Sequence, residues 1–171
     1  RLSERIGLCY HRAAYQSKTN QEFKSRVAES LQQYAQAKVL YVEANHETSR
    51  ALKQQCEAQI RLLESWLRND PQERRVLLDE SLEAENEAIQ GWGIIGEASG
   101  YREAVNEYLA TLYFRLELIR DYEEAAHLLE EAMEHADKAI TMADGDQEQP
   151  ELVWTRHLIS LILLDKPMEV Y

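Results

Sequence analysis

Between Tyr101 and Ala143 the chain carries two apolar-striped runs joined at Ile119-Arg120-Asp121, and no other stretch constrains the fold as tightly. The first run places Tyr101, Val105, Leu109, Leu112, Leu116 and Ile119 at helical spacing. The second does the same with Leu129, Ala132, Met133, Ala136 and Ile140. A hairpin of two such helices cannot bury its apolar face alone, so further hairpins must stack on it. With only 6 Gly and 3 Pro in 171 residues, the chain favours long helices over sandwiches or barrels.

The rest of the sequence reads as copies or caps of this unit. A first helix over about residues 2–16 places Leu2, Ile6, Cys9 and Ala13 on one inward stripe and ends at Ser17-Lys18-Thr19-Asn20. Thr19 and Glu22 form a capping-box pattern, and the next helix carries Phe23, Val27, Leu31, Tyr34 and Val42. No Gly or Pro occurs from Asn20 to Asn69, but the cap-forming cluster Asn45-His46-Glu47-Thr48-Ser49 predicts a turn. A third helix then carries Leu52, Cys56, Ile60, Leu63 and Leu67. Asp70, Pro71 and Glu73 open a fourth, with Leu78, Leu82, Ile89 and Trp92, expected to fray from Gly91 through Gly96. Asp121 and Glu124 supply another capping-box pattern for the sixth helix. Gly145 is placed to end it, and Pro150 opens a seventh with Trp154, Leu158, Leu161 and Ile162. Tyr34, Tyr108, Trp66 and Trp92 are expected to pack the core. The reading is all-α: about seven antiparallel amphipathic helices in one helical-repeat domain over residues 1–171, taken as a piece of a larger protein because the chain starts at Arg1.

Charge narrows the partners. Of the net charge of −12, residues 1–70 contribute +3 and residues 71–171 contribute −15. The acidic part repels phosphates, which argues against nucleic acid and fits a basic protein or peptide partner. The longest apolar run, Leu158-Ile159-Ser160-Leu161-Ile162-Leu163-Leu164, is too short to span a bilayer, and no stretch has the layout of a signal peptide. Cys9 and Cys56 both fall on expected apolar faces. They read as buried free thiols in a reducing compartment, the cytoplasm.

At the fifth and sixth helices the chain resembles a tetratricopeptide repeat. Leu109, Leu112 and Leu116 match that family's large first-helix positions. The string Asp121-Tyr122-Glu123-Glu124-Ala125 matches its turn, with Ala125, Leu129 and Ala132 following as small, bulky and small. Tyr113 stands at a position usually small, and the helices are longer than in the ordinary repeat. They are similar to the long repeats of kinesin light chains or of soluble NSF attachment proteins. The resemblance implies an α-solenoid that binds a peptide or partner helix in a concave groove, without catalysis or cofactor. In the family's register Phe114 faces that groove with Glu107, Ala110 and Glu117.

Several motifs suggest chemistry, and most fail on context. Gly91-Trp92-Gly93-Ile94-Ile95-Gly96 has dinucleotide-binding spacing but follows a charged helical run instead of a strand, so it reads as a helix terminator with close backbone packing. His46-Glu47-Thr48-Ser49-Arg50 has Arg50 where a zinc protease needs its second histidine. Cys9 and His11 have no clustered partner, and neither a nucleophile elbow nor a Walker lysine is present.

The strongest alternative is a ferritin-like bundle with a di-iron carboxylate site. Two Glu-x-x-His pairs, Glu43/His46 and Glu124/His127, would be joined by Glu85. Against it, Glu124 and His127 share a helix face with Glu131 and Glu134, opposite Leu129, Ala132 and Ala136, so the pair is expected to face water. The favoured reading is therefore a non-enzymatic protein-interaction scaffold, with the di-iron bundle and a self-association module as alternatives.

Overall fold

The computed structural model describes residues 1–142, which fold into six α-helices with no strand among the described residues. They are α1 (Leu2–Ala14), α2 (Asn20–Ala44), α3 (Ser49–Trp66), α4 (Pro71–Ile95), α5 (Ala98–Leu116) and α6 (Tyr122–Met142). The helix expected from Pro150, and its predecessor's end at Gly145, lie outside the described residues.

The helix ends follow local chemistry. Thr19 caps α2 by accepting from the Glu22 amide at 3.1 Å, while the Glu22 carboxylate accepts from the Lys18 amide at 2.9 Å. α2 stops at Asn45 in the left-handed conformation (φ 43°), so the long Gly- and Pro-free stretch is two helices. Asp70 accepts from the Glu73 amide, with Pro71 at the first helical position. α4 does not fray at Gly91. It runs to Ile95 and ends on Gly96 at φ 76°. α5 begins at Ala98, three residues earlier than its apolar stripe, because Glu97 caps the Gly100 amide. Asp121 accepts from the Glu123 amide, and Glu124 is drawn elsewhere instead of completing a capping box.

Consecutive helices are antiparallel, as paired residues show. Across α1 and α2, Gly7 meets Ser30 and Ala13 meets Arg26. Across α3 and α4, Gln54 meets Glu87 and Ala58 meets Ser81. Across α5 and α6, Tyr108 meets Glu131 and Arg115 meets Glu124. α1, α3 and α5 run side by side in the same direction, and so do α4 and α6. Arg5 of α1 reaches Glu103 of α5, Trp66 of α3 meets Phe114 of α5, and α4 joins α6 through Asn86–Glu131 and Arg75–Glu124.

The core is aromatic and small-residue rich. Tyr34, Tyr101, Tyr108 and Trp92 are buried as expected, with Val27, Leu62, Leu63, Leu78 and Ile89. Trp66 is half-buried among Phe23, His11, Tyr15 and Phe114. Small residues let backbones approach: a Cβ on Gly91 would lie 3.2 Å from the Ala51 methyl.

α1 is turned the other way from its apolar stripe. Leu2, Ile6 and Cys9 are exposed, Ala13 is half-buried, and Glu4, Gly7, His11 and Ala14 are buried. Hydrogen bonding makes this tolerable. Tyr41 donates to Glu4, Ser30 donates to the Gly7 carbonyl at 2.8 Å, and Gly7 leaves room for the Tyr34 ring. Cys9 is therefore an exposed thiol, contrary to its expected burial, while Cys56 is buried.

Gly100 is the tightest steric point. A Cβ there would lie 2.5 Å from the Trp92 ring, within the α4–α5 turn. Gly100→Ala is therefore expected to destabilise the chain by about 1–3 kcal/mol, the ordinary cost of overpacking. Urea unfolding would measure it, and an unchanged midpoint would show that Trp92 gives way freely.

Candidate functional site

The stripe Arg5-Leu8-Arg12 on α1, continued by Tyr15 just past its end, faces α5 across α3. Between these helices opens a cleft of about 530 Å³. α1 contributes Arg5, Leu8 and Arg12 to it. α3, lying between the other two, supplies Gln59 and Leu62. α5 forms the opposite wall with Arg102, Asn106, Glu107 and Ala110. One end is tied by Glu103, which pairs with Arg5 at 3.4 Å and Arg1 at 3.7 Å. Both arginines are about half exposed, so these pairs orient α1 against α5 more than they stabilise it. The cleft also reaches His11 and Tyr15, whose rings stack at 5.6 Å and both meet Trp66 edge-on at 5.0 Å.

Behind the cleft lies a buried polar layer. The Gln55 amide donates to Glu107 at 3.1 Å and accepts from the Trp92 indole at 2.9 Å. Gln59 donates to Glu85 at 3.4 Å, leaving the second Glu85 oxygen with no hydrogen-bond partner. Glu85 is fully buried, and Glu107 retains partial exposure towards the cleft. Burial, reinforced by Glu107 and Glu103 nearby, raises the Glu85 pKa well above the carboxylate range. Burial also raises Glu107 to about 8. Glu103 and Glu4 push the same way, while Gln55 and Arg5 oppose them. His11 goes in the other direction, to about 4, chiefly because burial penalises the imidazolium. Its Nδ1 has no hydrogen-bond partner. At neutral pH this layer is therefore largely uncharged, and the charge at the cleft comes from the arginines and Glu103.

The residues expected at a groove are partly gathered. Glu107 and Ala110 line the cleft. Phe114 packs instead on Trp66 at 5.6 Å and on the exposed Tyr113, and Glu117 is exposed beyond the lining. Sequence reasoning missed His11, Arg5, Arg12 and Arg102. The seven-residue spacing of Arg5 and Arg12, two turns of one helix face, was the signal that could have found the α1 wall.

The residues of the di-iron alternative are not brought together. Glu43 and His46 are exposed at the end of α2 and in its following turn. Glu85 is inside α4, and His127 is exposed on α6. Glu124, expected to face water, is half-buried and accepts from Arg115 at 2.5 Å and Arg75 at 2.7 Å. No three His, Cys, Asp or Glu are grouped to hold a metal among the described residues. Comparison with protein families, characterised proteins and solved structures finds no match to this chain.

The polar layer sets a pH dependence. Glu85 and Glu107 hold protons in the folded chain that the unfolded chain releases near pH 4.5. Their destabilising effect is absent below that pH and grows as pH rises, until Glu107 has passed through about 8. Each carboxyl contributes a slope approaching 1.4 kcal/mol per pH unit, about the linkage limit for one proton. His11 acts oppositely, costing stability as pH falls from 6.5 through about 4. The melting temperature is thus expected to fall between pH 6.5 and 8.5, and Glu107→Gln should flatten that fall. Parallel melting curves for the two proteins would contradict the assignment.

Proposed function

We propose that the chain is a non-catalytic interaction scaffold, a tetratricopeptide-like helical array that takes a peptide or partner helix in the α1/α3/α5 cleft. The observation that carries this reading is the cleft itself, with two parallel helices as walls and a third between them. Its mixed polar and apolar lining, drawn from three helices, suits an extended or helical segment better than a small, fully enclosed ligand. The two cysteines, unpaired among the described residues, support a reducing compartment, the cytoplasm. No helix of the described residues is long and apolar enough to cross a membrane.

Ala110 is exposed on the cleft wall, so a bulky side chain there blocks entry without disturbing the core. A photo-crosslinking residue at Ser99, exposed at the edge of the cleft, is expected to label a bound protein or peptide, and one at Ile94, which is 88% exposed on α4, is not. Ala110→Trp should abolish the same association. Equal labelling from both positions would remove the cleft as the binding site.

Self-association is a second reading, favoured by the uncovered apolar face of α1. Leu2 is 77% exposed, and Ile6 and Cys9 lie beside it at helical spacing. Light scattering over a dilution series would then show a dimer that dissociates on dilution, and Ile6→Glu should shift it to monomer. A concentration-independent monomer mass would eliminate this reading.

A further inference from the structure

The chain is strongly acidic, yet its cleft is not. Arg5, Arg12 and Arg102 all line it, against Glu103 and the largely protonated Glu107. Glu103 is already engaged by Arg1 and Arg5. Arg12 and Arg102 form no ion pair among the described residues, and they stand on opposite walls. Two guanidinium groups facing one channel repel each other unless an anion lies between them. Guanidinium forks match carboxylates in particular. Apolar side chains also line the cleft, Leu8 on α1, Leu62 on α3 and Ala110 on α5, and His11 and Tyr15 present aromatic rings beside them.

Resting on the groove reading above, we propose that the occupant is an acidic amphipathic peptide segment, with Asp or Glu side chains between Arg12 and Arg102 and an apolar side chain over Leu8, Leu62 and Ala110. The excess acid of residues 71–171 does not bear on this choice, because it is the local lining that meets the ligand. A basic segment would place its cations against three arginines, while the carboxyls within reach are already paired or protonated. The buried layer has a part in this selectivity. A neutral Glu107 removes the one free carboxylate that would otherwise attract cations into the cleft.

The test pans a displayed library of random dodecapeptides against the full chain, Ala110→Trp and the double variant Arg12→Glu/Arg102→Glu. All three changes lie at exposed or half-buried positions, and circular dichroism melts check that each protein folds. The expected pool is enriched in Asp and Glu interspersed with Leu, Phe or Trp. It should not bind Ala110→Trp, and the double reversal should weaken it about tenfold or more, with affinity falling as salt rises. A basic or uncharged consensus that still needs an open position 110 but ignores the reversal would overturn the acidic-ligand inference and leave the groove reading intact. No enrichment, or a pool that binds Ala110→Trp equally, would overturn both. If the double reversal melts, Arg12→Gln at the exposed α1 position carries the same comparison, with a smaller expected loss.

Discussion

The amide of Gln55 holds this structure together at its centre. It lies on α3, is almost fully buried, and spends one end on Trp92 of α4 and the other on Glu107 of α5. A buried amide left half-satisfied costs more than an apolar residue of the same shape, so the two bonds fix where α4 and α5 can stand relative to α3. Trp92, held by its indole, then sets the α4–α5 turn, because only glycine at position 100 clears its ring. Glu107, held on the other side, brings α5 across α3 towards α1. The cleft exists because that bond is made where it is.

A second polar constraint works at the opposite end of α5. Arg115 is buried, and its guanidinium bridges Asp79 of α4 and Glu124 of α6, each at 2.5 Å. Arg75 closes the cluster by pairing with the same two acids. A buried guanidinium stripped of its carboxylates would be strongly destabilising, so the cluster favours one register of α6 over others more than it adds net stability. Farther along, Asn86, Glu131, His135 and Tyr108 continue the seam between α4, α5 and α6. Polar groups thus specify the helix arrangement, while the aromatic and alanine core supplies the burial.

This division explains what the sequence made readable. Helix existence, the turn at Asn45 and the caps at Thr19 and Asp70 rest on short-range chemistry, and those are where periodicity and capping patterns succeed. The facing of α1 failed for the opposite reason. Its apolar residues, Leu2, Ile6 and Cys9, form the more hydrophobic stripe, yet the buried side is Glu4, Gly7 and His11. Nothing within α1 announces that Tyr41 will donate to Glu4, or that Tyr34 needs the space over Gly7. Glu124 was misplaced in the same way. The helical wheel of α6 puts it away from Leu129 and Ala132, but the wheel cannot see Arg115, 9 residues earlier, waiting on the neighbouring helix. Of the cleft's lining, Glu107 and Ala110 were among the residues expected at a groove, while the arginine walls needed the packing of α1 beside α5.

The same logic bears on why buried carboxyls sit behind a basic cleft. Were Glu85 and Glu107 ionised, their field would neutralise much of the charge that Arg5, Arg12 and Arg102 present. Burial keeps them protonated, so they serve as hydrogen-bonding atoms that organise Gln55 and Gln59 without cancelling the arginines. Replacing them by apolar residues would strand the two amides, and placing them nearer solvent would let them ionise. The position of Glu107, partly open to the cleft yet held by Gln55, is therefore the point where the requirement for an ordered interior and the requirement for a positive surface meet. Raising the pH through about 8 would set these two requirements against each other, adding a negative charge to the wall while straining the layer behind it.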